Sequence, residues 1–135
     1  MKIISAVLFS LLFCISALAQ LPDIKNAAVY VEQMPLFPGG QDSLISFLVH
    51  NINYPAKAIA DSLEGKVGAK FIVNTNGSIS DIEILYDIGG GCGDEVIRVI
   101  KMMPKWNAGK QNGRTVAVYY NLPVAFYFDD YKKKK

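Results

Sequence analysis

Residues 114–128 read Arg-Thr-Val-Ala-Val-Tyr-Tyr-Asn-Leu-Pro-Val-Ala-Phe-Tyr-Phe, and no other stretch constrains the fold as tightly. Every even position from Val116 is apolar: Val116, Val118, Tyr120, Leu122, Val124, Phe126 and Phe128. Strict period-two alternation is the signature of a strand with one face in a core. The odd positions are mixed and suit a face that is thinly covered. The run is long against a usual strand of about five or six residues. Pro123 has no N–H to give a neighbour, which places the strand at a sheet edge or at a bulge. A long apolar strand with a free edge is either a liability or a docking site, and the expectation here is a docking site.

The remaining elements follow from local signals. Residues 41–51 form a helix whose stripe is Leu44, Ile45, Leu48 and Ile52, with Phe47 beside it. Pro55 suits the start of a second short helix over residues 55–63, closed by Gly65. Residues 66–74 alternate, with Val67, Ala69, Phe71 and Val73 on one face, and Asn76-Gly77 signals a hairpin. The return strand, residues 78–86, changes parity between Ile79 and Ile82, which predicts a bulge near Ser80 and Asp81. Residues 87–93 are a glycine-rich loop. Asp94 and Glu95 then open a helix with Val96, Ile97, Ile100 and Met103 as its buried stripe, ended by Pro104. Trp106 reads as a core anchor against Tyr54 or the sheet, and residues 107–113 as a turn. Upstream, residues 29–32 form a brief strand, and the Pro/Gly-dense run 34–40 is an ordered arm with Leu36 and Phe37 buried. The order α-α-β-β-α-β implies an α+β domain, an antiparallel sheet with helices on one face.

The first residues carry a targeting pattern. Lys2, the apolar run 3–16 and Ala17-Leu18-Ala19 make residues 1–19 a cleavable signal peptide, leaving Gln20 first and the protein in the periplasm. An uncleaved anchor is the rival reading. A lipoprotein site is disfavoured because Phe13, before Cys14, is not small. Residues 20–33 are then a leader, 34–128 the domain and 129–135 a basic tail. No later segment reaches the roughly 20 apolar residues of a spanning helix.

Chemistry-bearing groups are sparse. The chain has 14 Lys and Arg against 12 Asp and Glu. Lys2 and Lys132 to Lys135 are among the basic ones, so the body of the domain is acidic. That is not the balance of a nucleic-acid binder. Cys92 has no partner once Cys14 leaves with the signal, and it reads as a small residue in a glycine-rich loop. His50, the one histidine, has no metal-ligand spacing around it. The loop 89–93 lacks the Lys and Ser/Thr of a phosphate-binding loop, and Asp94 and Glu95 would repel an anion. No catalytic residue, metal or cofactor is assigned, and the domain is read as non-enzymatic.

Several motifs together carry a family likeness. They are Pro35-Leu36-Phe37-Pro38-Gly39-Gly40, Asn51-Ile52-Asn53-Tyr54-Pro55 and Glu64-Gly65-Lys66-Val67, followed by the run 71–79. Met103-Pro104-Lys105-Trp106-Asn107-Ala108-Gly109-Lys110 and Tyr120-Asn121-Leu122-Pro123-Val124-Ala125-Phe126 complete the set. In this order they resemble the C-terminal domain of TonB from about Met34 to Phe128. The resemblance implies a three-stranded antiparallel sheet with a ββαβ core, helices on one face and additional N-terminal helices. It also implies TonB-dependent transmembrane transport, in which the domain grips the N-terminal box peptide of an outer-membrane transporter by β-strand addition. An envelope interaction module that binds peptidoglycan or another envelope protein is the alternative. A full transducer has an uncleaved anchor and a long Pro-rich spacer; at about 3.3 Å per residue this leader is too short to span a periplasm. The expectation is therefore a domain that binds without pulling. The partner strand is expected along Thr115, Val116, Ala117, Val118, Tyr119, Tyr120 and Asn121, with Tyr119 and Asn121 reaching the partner and Val118 and Tyr120 mostly core. Residues 29–32 are a competitor for the same edge.

Overall fold

The computed structural model describes Ala28 and residues 31–134. The expected signal peptide, Cys14, Val29 and Tyr30 lie outside the described residues. Elements follow in the order α1 (Gln41–Asn51), α2 (Ala56–Ala60), β1 (Gly65–Val73), β2 (Ile79–Tyr86), α3 (Cys92–Lys101), β3 (Gly109–Gln111), β4 (Arg114–Val116), β5 (Val118–Phe126) and α4 (Phe128–Lys134). Strand β1 is the centre of a three-stranded antiparallel sheet in the order β2-β1-β5, and β3 and β4 form a separate ladder. The α+β class is the one the element order implied, and the ββαβ core, β1-β2-α3-β5, the one the resemblance implied. Among the described residues no helix is long and apolar enough to cross a membrane.

The core is built from matched periodicities. Val67, Ala69, Phe71 and Val73 of β1 and Leu122, Val124 and Phe126 of β5 point to the same side and are buried. Leu44 of α1, Ala58 of α2 and Val96 and Ile100 of α3 cover them. At about 25 cal/mol per Å² of apolar surface removed from water, this layer is the main source of stability. The opposite face of the sheet carries Lys70, whose ammonium lies 4.9 Å from the Tyr119 ring centroid and 3.8 Å from Glu83.

Strand β2 contains the expected irregularity. Lys70 pairs with Glu83 but Ile72 with Ser80, so the register shifts between them, and Asp81 takes φ 53°. A second shift lies between Gly68, paired with Tyr86, and Ala69, paired with Ile84. Side-chain parity carries no sign of that one.

Other expectations are corrected. The long strand is two: β4 pairs with β3 and β5 pairs with β1, so the chain changes partner at Ala117. Phe128 leaves the strand and opens α4, its N–H donating to Glu64 Oε1 at 2.8 Å. Most of the expected basic tail is therefore helix. The expected turn at 107–113 contains β3, and only Asn112 and Gly113 make the bend. The second helix ends earlier than Gly65, at Ala60, with Pro55 outside it as the cap residue. Val99, absent from the expected stripe, is fully buried, while Ile45 is exposed. Leu36 is exposed too: its backbone exchanges two hydrogen bonds with Asn107 (3.0 and 2.8 Å) while Phe37 takes the buried position. Val31 and Glu32 form no strand. The arm instead pairs through isolated bridges at Gln33 with Lys110 and Leu36 with Asn107.

Trp106 is 4% exposed. It packs edge-on against Phe37, Phe71 and Tyr120, so of the two expected neighbours the sheet is the right one. Tyr54 lies elsewhere, stacked on Phe128 and edge-on to Phe126 and Tyr131, with its hydroxyl donating to the Leu63 carbonyl.

Candidate functional site: the outer edge of β5

Backbone groups of an antiparallel edge strand point alternately to the neighbour and to the outside. The β1–β5 register is regular from Gly65 with Phe126 to Val73 with Val118. The Tyr119 N–H points away from β1, because it donates to the Ala28 carbonyl at 2.9 Å. By the same alternation Asn121 and Ala125 carry outward N–H groups, and Pro123 carries none. Pro123 thus sits where the missing donor costs the sheet nothing, as its edge placement required.

The seven expected site residues separate into three sets. Thr115 and Val116 belong to β4 and pair with Lys110 and Gly109. Val118 and Tyr120 pair with Val73 and Phe71 of β1; Val118 is buried and Tyr120 half-buried, as expected. Ala117, Tyr119 and Asn121 remain as the outward positions. Of these, the Ala117 carbonyl accepts from the Ala28 N–H at 2.9 Å, and Tyr119 donates back to Ala28. The contact at this edge is made by Ala28, joined to Val118 by a parallel bridge, and not by the expected strand 29–32: Val31 and Glu32 do not pair there, and Val29 and Tyr30 lie outside the described residues. Among the described residues nothing pairs with the outer edge from Asn121 onward.

That open part borders a groove the sequence reading missed. A cavity of about 540 Å³ lies between α1, the second half of β5 and α4, lined by Ile45, Val49, Pro123, Phe126 and Tyr131 among others. Ile45 is 51% and Val49 53% exposed. Their spacing of four residues puts them on one helix face, and that spacing was the available signal. In the sequence the stripe through Leu44, Leu48 and Ile52 instead places Ile45 among the buried residues.

The other singled-out groups are occupied internally. Asp87 Oδ1 accepts from the N–H groups of Gly89 (2.8 Å) and Gly93 (3.2 Å), so the chain's own carboxylate fills the mouth of the glycine-rich loop. A Cβ on Gly93 would lie 2.1 Å from Asp87 Oδ2, so a side chain there would have to displace the carboxylate. Cys92 is buried, and its thiol is pushed up to about 11, first by burial and then by the charges of Asp87 and Glu95. Burial likewise raises Tyr120, partly offset by its hydrogen bond to Gln41. His50 is exposed, with Nδ1 2.7 Å from the Ser46 carbonyl oxygen. Among the described residues no three His, Cys, Asp or Glu cluster as metal ligands would. Glu95 accepts from the Asn53 N–H (2.7 Å) and from Arg98, which also donates to the Asn51 carbonyl (2.9 Å), and so ties α3 to the end of α1.

Comparison with known proteins adds a family. The family described as Gram-negative bacterial TonB protein C-terminal matches residues 50–128, more than half of the chain. Two solution structures of the Helicobacter pylori TonB C-terminal domain are similar. The first has 21% identity over 64% of this chain and 90% of that one, with a TM-score of 0.42. A longer version has 20% identity over 66% and 84%, with a TM-score of 0.44. No curated protein matches the chain.

Proposed function

The chain belongs to the TonB C-terminal family, and from that premise we propose that it is a periplasmic binding domain that engages the N-terminal box peptide of outer-membrane TonB-dependent transporters by β-strand addition. The observation that supports this most directly is the edge of β5. From Asn121 onward the strand ends the sheet, with Asn121 and Ala125 donors directed outward. Backbone pairing to such an edge accepts many peptide sequences, while pockets at alternate positions select among them. The groove floored by Ile45 and Val49 lies on the helix side of that edge. An added strand would lay every second side chain against it, which favours peptides with apolar residues at alternate positions.

The proposed pairing segment is thus displaced from the one expected, to residues 121–126. Titration of a labelled box peptide, followed by amide shifts, tests it. Shifts concentrated at Asn121, Ala125 and the Ile45–Val49 face are expected. Shifts confined to α1 and α2 with β5 unmoved would overturn strand addition. Co-sedimentation with purified cell wall, without affinity for box peptides, would favour an envelope-binding module instead.

A further inference from the structure

We propose that Ala28 is an intrachain plug that closes the first half of the β5 edge until it is lifted, anchored by the arm from Val31 to Leu36. The inference rests on the strand-addition reading above and adds its regulation. The plug has a firm root and a thin tip. At the root, Gln33 exchanges two hydrogen bonds with Lys110 (3.1 and 2.8 Å) and Leu36 two with Asn107 (3.0 and 2.8 Å). Val31 is buried, and Glu32 reaches Gln111 and the Asn112 N–H. At the tip, the Ala28 contact is one bridge of two hydrogen bonds, both 2.9 Å.

An N–H donates to one acceptor at a time, so a partner strand in register with Val118 cannot pair with Tyr119 while Ala28 holds it. The rooted arm keeps Ala28 at a high local concentration, so it competes as a tethered strand does. The tip is held by two backbone hydrogen bonds and the root by four, so the tip is the part that lifts first. A partner that starts on the open stretch from Asn121 would extend its pairing only by displacing Ala28. The second half of the edge is then the entry point and the first half the gated one.

The test uses the full chain and Ala28→Pro, which deletes the donor to Ala117 and leaves the root intact. Amide exchange is read at Tyr119, with Phe71 as the fold control because it pairs on the opposite side of β5. In the wild type Tyr119 should be protected. In the variant it should exchange at least about tenfold faster with Phe71 unchanged, since two hydrogen bonds hold the tip. A box peptide should then bind about tenfold more tightly to the variant. Unprotected Tyr119 in the wild type, or equal peptide affinity after Tyr119 has been freed, would overturn the plug. Failure of the peptide to bind either form, with the Tyr119 change present, would overturn the box-peptide partner and leave the plug supported.

Discussion

Trp106 and Gly77 hold each other by their backbones. The Trp106 N–H donates to the Gly77 carbonyl at 2.9 Å, and a Cβ on Gly77 would stand 2.1 Å from the Trp106 carbonyl oxygen. The hairpin glycine therefore serves two ends: it supplies φ 85° for the turn and lets the chain after α3 lie against it. Gly77→Ala should cost about 2 kcal/mol, combining a left-handed alanine with a displaced backbone. Urea unfolding checks this, and a loss under about 0.5 kcal/mol would mean the turn rearranges freely.

Truncation of the indole should cost more. Trp106→Ala leaves a cavity among Phe37, Phe71 and Tyr120 and should lose about 3–5 kcal/mol, a large part of a stability of about 5–15 kcal/mol. Among the described residues its Nε1 meets no hydrogen-bond partner, so Trp106→Phe removes no bond to them and should cost clearly less. Equal losses in the two variants would show that the N–H matters.

Cys92 should be silent toward maleimide in the native state and react once the chain unfolds, because its thiol is both buried and held protonated. The pH dependence has a definite sign. With the thiol near 11 folded and its ordinary value of 9.0 unfolded, the native state keeps a proton that the unfolded state releases, so stability falls as pH rises from 9 to 11. Tyr54, raised by burial and by Cys92 and Glu64, acts in the same direction. Cys92→Ala should flatten part of this alkaline slope, measured as melting temperature against pH.

Proline scanning separates the two sides of β5. Asn121→Pro and Ala125→Pro delete outward donors, so the fold should persist while box-peptide affinity drops about three- to tenfold each, the range for one lost hydrogen bond. Tyr120→Pro deletes a ladder bond to β1 and should unfold the domain. Circular dichroism with peptide titration distinguishes them, and unaltered affinity in both edge variants would move the binding site off β5.

Lys70 should contribute little to folding. It is partly exposed and meets Glu83 at 3.8 Å and the Tyr119 ring at 4.9 Å, so Lys70→Ala should cost less than about 1 kcal/mol. A double-mutant cycle with Tyr119→Leu measures the ring contact directly.

Much of this architecture was legible in the chain itself. Residues 67–73 and 118–126 alternate because each strand has one face in the core and one outside, and side-chain direction reverses at every residue. The parity slip after Ile79 announced a bulge for the same reason, and Pro123 announced an edge because a residue without an N–H survives only where no neighbour needs it. The motifs from Asn51 to Phe126 lie within residues 50–128, the stretch that matches the family.

Contacts between distant segments were not legible. Whether Val116 and Val118 share a sheet depends on which strand each finds, and nothing local distinguishes β3 as a partner for one from β1 as a partner for the other. Ile45 and Leu44 are equally apolar; only the position of α1 over the sheet leaves one in the groove and the other in the core. Ala28 is an unremarked residue in the sequence, and only the folded chain brings it against Ala117 and Tyr119 at the β5 edge. Periodicity and turn chemistry act over a few residues, so the sequence by itself determined the faces of β1 and β5 and the edge position of Pro123. Which groups fill that edge is a matter of long-range pairing, and the tertiary structure alone decided it.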